Sequence, residues 1–234
     1  MPEKPFFVKL KNRALIHLEG PDRHEFLQGL ITNDIKKLTP SQPLYACLLT
    51  PQGKFLYDFF VIEGDDFTLL DCEAGENGER AQSLYKKLTM YRLRADVQIS
   101  VENTNDVYAT FNAVHGLPDP RHPEMGNRSF EKPHIEERPF EEWDSRRINI
   151  TIPDGSRDLI VEKSTMDEAH MAELGAVDYD KGCYVGQELT ARMHYRGLGK
   201  KHLQTVKLNA LPEKAELRSQ CGKYGIALVK GKKP

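Results

Sequence analysis

Cysteines are few in this sequence and form no pattern. The four of them, Cys47, Cys72, Cys183 and Cys221, lie far apart with no Cys-x-x-Cys pair, which argues against a zinc ribbon or a disulfide framework and leaves each as a lone thiol. Charge of one sign is not in excess either: 33 Lys and Arg against 35 Asp and Glu give a formal −2, whereas general nucleic-acid binders profit from a basic surplus through counterion release. No direct nucleic-acid binding is expected. Long apolar runs are missing, and nothing approaches the roughly 18 residues of a membrane span. The opening Met1-Pro2-Glu3-Lys4-Pro5 lacks the apolar stretch of a secretory signal, so the expectation is a cytoplasmic protein without membrane contact. The eight histidines show no His-x-x-x-His or other compact ligand spacing, and no metal site is expected.

What is present is an ordinary globular composition, 39% hydrophobic and 29% charged over 234 residues, enough for one large domain or two small ones. Phe6 to Leu10 and Leu15 to Leu18, separated by the polar step Lys11-Asn12-Arg13, read as a strand pair. Asp22 is placed to cap a helix carrying Phe26, Leu27, Leu30 and Ile31 and ending near Thr32-Asn33-Asp34. Residues 43–49 and 55–62 read as a hairpin turned by Thr50-Pro51-Gln52-Gly53-Lys54. Between Glu76 and Tyr91, the offsets of Ala81, Leu84, Tyr85 and Leu88 predict an amphipathic helix, followed by a strand from Val97 to Val101. After a strand at Val107–Phe111, the stretch His115–Arg147 carries five prolines among many charges and reads as a long exposed connection. Helices are expected around 156–163 and 167–174, and strands at 203–208 and 224–229. Hairpins mixed with helices, without regular alternation, indicate an α+β fold. The acidic residues Glu63, Asp65, Asp66, Asp71, Glu73, Glu76 and Glu79 read as a solvated face, and Arg192, Arg196, Lys200 and Lys201 as a basic side able to meet a partner.

The chemistry concentrates between Asp180 and Gly197. Gly182 and Gly186 bracket Cys183, and Gln187 to His194 is a run of good helix formers with Glu188 and Arg192 at i,i+4. A thiol just before a helix start, with Lys181 near, is favoured as thiolate by the helix dipole and the ammonium. That makes Cys183 a candidate nucleophile or redox group; the alternative is a small buried hydrophobe beside a tight turn.

Lys181-Gly182-Cys183-Tyr184-Val185-Gly186-Gln187-Glu188 resembles the signature of the YgfZ family, folate-binding relatives of the glycine-cleavage T protein. The blocks Gly20-Pro21-Asp22 to Thr32-Asn33-Asp34, Leu49-Thr50-Pro51-Gln52-Gly53-Lys54 with Asp58, and Met90-Tyr91-Arg92-Leu93-Arg94 are similar to the family's N-terminal blocks, in the same order. The run from Val177 to Leu203 is most similar to the branch of mitochondrial iron–sulfur assembly factors and their bacterial counterparts. His170 and Ala172, after Glu168-Ala169, depart from the polar or acidic residues common there.

The resemblance implies two intertwined α+β halves around a central opening, residues 1–199, followed by an abbreviated C-terminal β-barrel domain, 200–234. It implies tetrahydrofolate or a one-carbon derivative as ligand and a part in building or maintaining iron–sulfur clusters, including those of radical enzymes that modify tRNA. The partners are then assembly proteins or client enzymes, and the compartment is the bacterial-type cytoplasm, or the mitochondrial matrix in a eukaryote. Carried over by position, Cys183 and Lys181 are the candidate catalytic residues. Asn33, Asp34, Gly53, Lys54, Tyr91, Arg92, Arg94, Tyr184, Gly186, Gln187, Glu188 and Arg192 are the candidate folate-binding set. Its carboxylates, tyrosine rings and cations suit a pterin edge, ring faces and an anionic tail. Two other functions remain open: a folate-dependent aminomethyltransferase or other one-carbon transferase, with Asp34 or Asp58 handling a proton, and a scaffold without folate.

Overall fold

The structure, a computed structural model, describes residues 3–102 and 106–231; the ends of the expected domains at 1–2 and 232–234 lie outside the described residues. The first half of the chain forms β1 (Phe6–Lys9), β2 (Arg13–Glu19), α1 (Arg23–Gln28), β3 (Leu44–Leu49), β4 (Phe55–Glu63), β5 (Phe67–Glu73), α2 (Glu79–Arg92) and β6 (Gln98–Glu102). The second half adds β7 (Tyr108–Phe111), β8 (Leu117–Pro118), β9 (Asn127–Ser129), β10 (Glu136–Arg138), α3 (Phe140–Asn149), α4 (Gln187–Arg196), β11 (Lys201–Lys207), β12 (Glu216–Cys221) and β13 (Tyr224–Lys230). The fold is α+β, as expected.

The first two strands exist but do not pair with each other. The polar step at 11–13 is a crossing between sheets: β1 lies in a sheet of order β10-β1-β7-β9-β8, and β2 in one of order β3-β4-β5-β2-β6. Phe6 stacks on Phe111 with ring centroids 4.9 Å apart, so β1 finds its apolar partner surface in the second half of the chain. The halves are thereby interlocked.

The β3-β4-β5-β2-β6 sheet is antiparallel throughout, and the expected hairpin at 50–54 closes with Thr50 N donating to Lys54 O at 2.8 Å. Its central strands are nearly all apolar because both faces are covered. Tyr45, Cys47, Phe60 and Leu69 enter the core shared with the second sheet, while Ala46, Leu48, Phe59 and Leu70 enter a core under α1 and α2. Leu84 and Leu88 of α2 are fully buried there, each contributing roughly 1.5–3 kcal/mol. α2 begins at Glu79, later than expected, because the Glu79 carboxylate accepts from the amides of Glu76 and Asn77 at 3.0 and 2.8 Å and folds them into a turn. α1 stops at Gln28, well before Asn33, and the Asp22 carboxylate accepts from Asp96 N at 2.8 Å instead of capping it.

The stretch 115–147 is the main revision. It is no exposed connection: it contributes three strands and most of α3, and Asp119, Arg121, Met125, Arg128, Trp143 and Arg147 are buried. Its prolines punctuate short elements, with Pro118 in the edge strand β8, Pro123 opening a 3-10 turn and Pro139 preceding α3. Asp119, Arg121, Arg128, Asp144 and Arg147 pair inward, while Glu124, Glu131, Lys132, Glu136, Glu137 and Glu141 stay exposed. The helices expected at 156–163 and 167–174 give a 3-10 turn at Gly155–Arg157 and irregular turns, since Glu162 and His170 take φ of +62° and +55° and interrupt any helical ladder.

β11, β13 and β12 form a third, antiparallel sheet, of which β12 was not anticipated. No closed barrel forms among the described residues. The sheet is tied down through α3: buried Arg147 donates to Ser219 Oγ at 3.0 Å and to Asp158 at 2.7 Å.

Candidate functional site

Three blocks far apart in sequence meet at the start of α4. Lys181 is buried, and its ammonium donates to the carbonyls of Gln28, Ile31 and Asn33 at 2.8, 2.7 and 2.7 Å. Three N–H donors meet three acceptors, which only the protonated amine can do. Burial pushes Lys181 down to about 8, with Asp34 and Asp178 pulling the other way. The same segment is held by Asp178 N on Thr32 O at 3.0 Å and by Asn33, whose side-chain amide donates to Tyr45 O and Gly175 O at 2.9 and 2.7 Å. The third block arrives through glycines. Gly186, at φ +85°, precedes α4, and a Cβ there would stand 2.6 Å from Thr50 O and 3.0 Å from Gly53 Cα. Gly182 stands in open space and imposes no such requirement.

Lys181→Met removes the three charge-assisted bonds and leaves the carbonyls of Gln28, Ile31 and Asn33 without that donor, so stability falls by about 3 kcal/mol, read by chemical denaturation. A loss below about 1 kcal/mol would mean that water takes the ammonium's place.

Cys183 is exposed, whereas Cys47 and Cys72 are buried and Cys221 is half-buried. This excludes the buried-hydrophobe reading of Cys183. The expected neighbours of its sulfur are different, however. The Lys181 ammonium is turned inward onto backbone, and no described hydrogen bond joins it to the thiol. Cys183 also precedes Gln187, the first residue of α4, by four positions, outside the first turn where the helix dipole acts. Its distinguishing property is accessibility.

The other motif residues scatter. The Tyr184 ring is buried 5.1 Å from the Lys181 ammonium, and burial pushes its phenol up to about 12. Asp34 accepts from Gln28 Nε2 at 2.9 Å and Lys36 N at 3.1 Å. Gly53 packs against Leu189 of α4, Lys54 ends the hairpin turn half-buried, and Gln187 is half-buried at the helix start. Glu188 and Arg192 are exposed on α4 and form no described ion pair; with Tyr195 and Arg196 they border a shallow groove. Tyr179, from the loop before, stacks on His194 at 3.9 Å between centroids. Tyr91, Arg92 and Arg94 sit at the far end of α2, where Arg92 donates to Val97 O at 3.3 Å; none has a described hydrogen bond to the 181–188 block.

None of these residues lines the cavity of about 430 Å³ bounded by both five-stranded sheets, the 10–13 crossing and α3. Its wall carries Phe60, Phe140 and Trp143 as ring faces, Arg13, Arg121, Arg128 and Arg157 as cations, and Asp154 as a carboxylate. Asp71 and Glu73, expected in water, are buried instead. Asp71 accepts from Arg13 Nε at 2.6 Å and from Arg128 Nε at 2.8 Å, and Glu73 accepts from Ser156 Oγ at 2.6 Å. Burial opposes the charge on Asp154, but Arg147, Arg157 and Arg13 outweigh it and hold the carboxyl below its usual range. Burial raises Asp58, which accepts from the Tyr45 hydroxyl at 2.7 Å. A signal for Asp71 existed in the strand alternation, since it shares the Leu69 face of β5, which points into the inter-sheet core. Arg121, Arg128 and Trp143 were hidden inside the supposed connection.

No family model matches the chain. It is 31% identical over 242 residues to the human mitochondrial iron–sulfur cluster assembly factor IBA57, covering 87% of this chain and 67% of that protein. The chain belongs to the IBA57 family. Another member, the mitochondrial IBA57 homolog of Neurospora crassa, is 29% identical over 232 residues, covering 84% of this chain and 52% of that one. The chain spans roughly half to two thirds of the length of the IBA57 relatives it matches. In three dimensions it is similar to the glycine cleavage system aminomethyltransferase T of Bartonella henselae, with TM-score 0.72, 13% identity, and coverage of 97% of this chain and 78% of that one. That likeness is one of fold. No helix among the described residues is long and apolar enough to cross a membrane.

The cavity of this IBA57-family chain fits the folate that the signature implies. A folate combines flat rings, a donor and acceptor edge and an anionic tail, and the cavity wall offers ring faces, a carboxylate and guanidinium groups. The buried Trp143 Nε1 has no hydrogen-bond partner in the protein.

Proposed function

We propose that this chain is a tetrahydrofolate-binding accessory protein for iron–sulfur cluster assembly or maintenance, with the Cys183 thiol as its working group. The observation that carries the proposal is that, of four cysteines, the one inside the family signature is the exposed one. Its loop is anchored from below by Lys181 and flanked by the exposed side of α4, so a client or assembly protein can reach the sulfur while the segment behind it stays fixed. Clients include cluster-bearing radical enzymes that modify tRNA, and the cluster is cargo. Within the cavity, Phe60, Phe140 and Trp143 would hold the rings, Asp154 the amino edge, and the arginines the acceptor groups. Bound tetrahydrofolate supplies a reduced pterin that carries one-carbon units. Among the outer motif residues, Asn33, Asp34 and Arg92 make hydrogen bonds within the scaffold, to Tyr45 O, from Gln28 and to Val97 O.

Melting the wild type and Cys183→Ala with and without tetrahydrofolate, anaerobically, tests the ligand. Ligand at a hundredfold over its Kd adds about 2.7 kcal/mol, a rise of roughly 5–10 °C for a chain of this size, equal in both proteins. No saturable rise in either would favour the scaffold without folate. Aminomethyl transfer is the weaker reading, because neither Asp34 nor Asp58 lies in the cavity wall, where it would meet a substrate proton.

A further inference from the structure

Arg13, Arg121 and Arg128 are all buried, with guanidinium carbons 5.6, 4.7 and 3.7 Å from the centroid of one ring, Phe60. Two carboxylates serve these three cations. Asp71 is shared between Arg13 and Arg128, and Asp119 takes Arg121 through Nε at 3.0 Å and Nη2 at 2.7 Å. Asp58 and Asp154 add their fields at Arg13, and Asp154 does so at Arg121, so the charges have neighbours of opposite sign while not every donor is used.

The unused donors can be traced to particular atoms. Arg13 uses Nε on the Asp71 carboxylate and Nη2 on the Asp71 backbone carbonyl, and Arg128 uses Nε and Nη2 on the same carboxylate. Nη1 of Arg13 donates to no described group, and Nη1 of Arg128 stands 3.7 Å from Asp119, beyond hydrogen-bond range. Neither atom is among the buried polar atoms sealed from solvent, and both residues line the cavity, so both N–H groups open into it. They belong to neighbouring guanidinium groups, since one carboxylate holds the two. Of the cavity's own carboxylates, Asp154 is bound to Arg157 at 2.9 Å and Glu141 lies at the exposed mouth.

From this geometry we infer that the inner wall of the cavity is an oxyanion site, where one carboxylate or phosphate group accepts from Arg13 Nη1 and Arg128 Nη1 beside the Phe60 ring. The site lies in the cavity of the folate reading and stands or falls separately from it. Its occupant is either the carboxylate of a folate's glutamate tail or a free small oxyanion; the chemistry is the same, two guanidinium donors on one anionic group.

The full chain is titrated with inorganic phosphate against chloride at matched ionic strength and pH, by thermal shift and calorimetry, and then with tetrahydrofolate and with tetrahydropteroate, which lacks the glutamate. Phosphate is expected to give a saturable stabilisation that weakens about tenfold or more in Arg128→Lys and Arg13→Lys, which keep the charge and lose the fork. Tighter binding of tetrahydrofolate than of tetrahydropteroate, with phosphate competing, identifies the tail carboxylate as the occupant. Equal binding of the two folates, with phosphate saturating alongside them, identifies a free oxyanion. Phosphate binding without folate binding keeps the oxyanion site and removes the folate reading. Equal folate binding without any saturable phosphate effect overturns the oxyanion site and leaves the folate reading standing. Silence from every probe removes both. Should neither lysine variant fold, the wild-type titrations decide.

Discussion

Cys183→Ala is expected to fold, to bind tetrahydrofolate as the wild type does, and to lose support of iron–sulfur enzymes completely. The side chain is exposed and its sulfur makes no described hydrogen bond, so its truncation changes stability by no more than about 0.5 kcal/mol. The loop itself stays in place, because its anchors are Lys181 on the 28–33 carbonyls and Gly186 against Thr50, neither of which involves the thiol. What disappears is the one accessible sulfur of the signature. The measurement is the activity of a cluster-dependent enzyme in cells or extracts supplied with equal amounts of each variant, with Cys221→Ala as the control that retains function. Undiminished support by Cys183→Ala would end the thiol's role and return attention to the exposed face of α4.

The largest stability effect is expected from Asp71→Asn, a loss of about 4 kcal/mol and roughly 8–16 °C in melting temperature. Asp71 belongs to β5, as does the paired Arg13 to β2 in the same sheet, while Arg128 lies on β9 of the other sheet. The carboxylate therefore joins two sheets across the cavity, and an isosteric amide removes the charge that two buried guanidinium groups share. Urea denaturation reads the change, and a loss under about 1 kcal/mol would mean that cavity water solvates the arginines well enough without it. Acid acts in the same direction through Asp119. Burial works against its charge, but Arg121 and Arg128 outweigh burial and hold its carboxyl below the usual range. The stability this contributes is present above its ordinary value near 3.8 and is lost as pH falls through the depressed folded value.

Local features of the fold were legible in the residues, and long-range ones were not. The hairpin at 50–54, the apolar stripe of α2 and the helix after Gly186 follow from turn chemistry and periodicity within a dozen residues. The signature around Cys183 was equally readable, and its convergence with 28–34 and 50–54 agrees with their joint appearance as motif blocks. Charge partners were the blind spot. Asp71 finds Arg128 across 57 positions, and nothing in either neighbourhood announces the other. With its partners unseen, the proline- and charge-rich 115–147 stretch reads as solvent-facing chain, although five of its charges, Asp119, Arg121, Arg128, Asp144 and Arg147, are paired in the interior. The cavity, assembled from the 10–13 crossing, β4, β9, α3 and the 154–157 turn, was lost with it.

The placement of β1 has a kinetic consequence. Phe6 pairs with Phe111 on one side and with Glu136 on the other, so the first strand has no home until residues far downstream exist. At 5–20 residues per second of synthesis, an apolar strand waits on the order of 7–26 s for its neighbours to leave the ribosome. Contacts of such long range also slow folding once the chain is complete. A strand made well before its partners is among the last to be placed, and in that interval its apolar side chains stay exposed to chaperones.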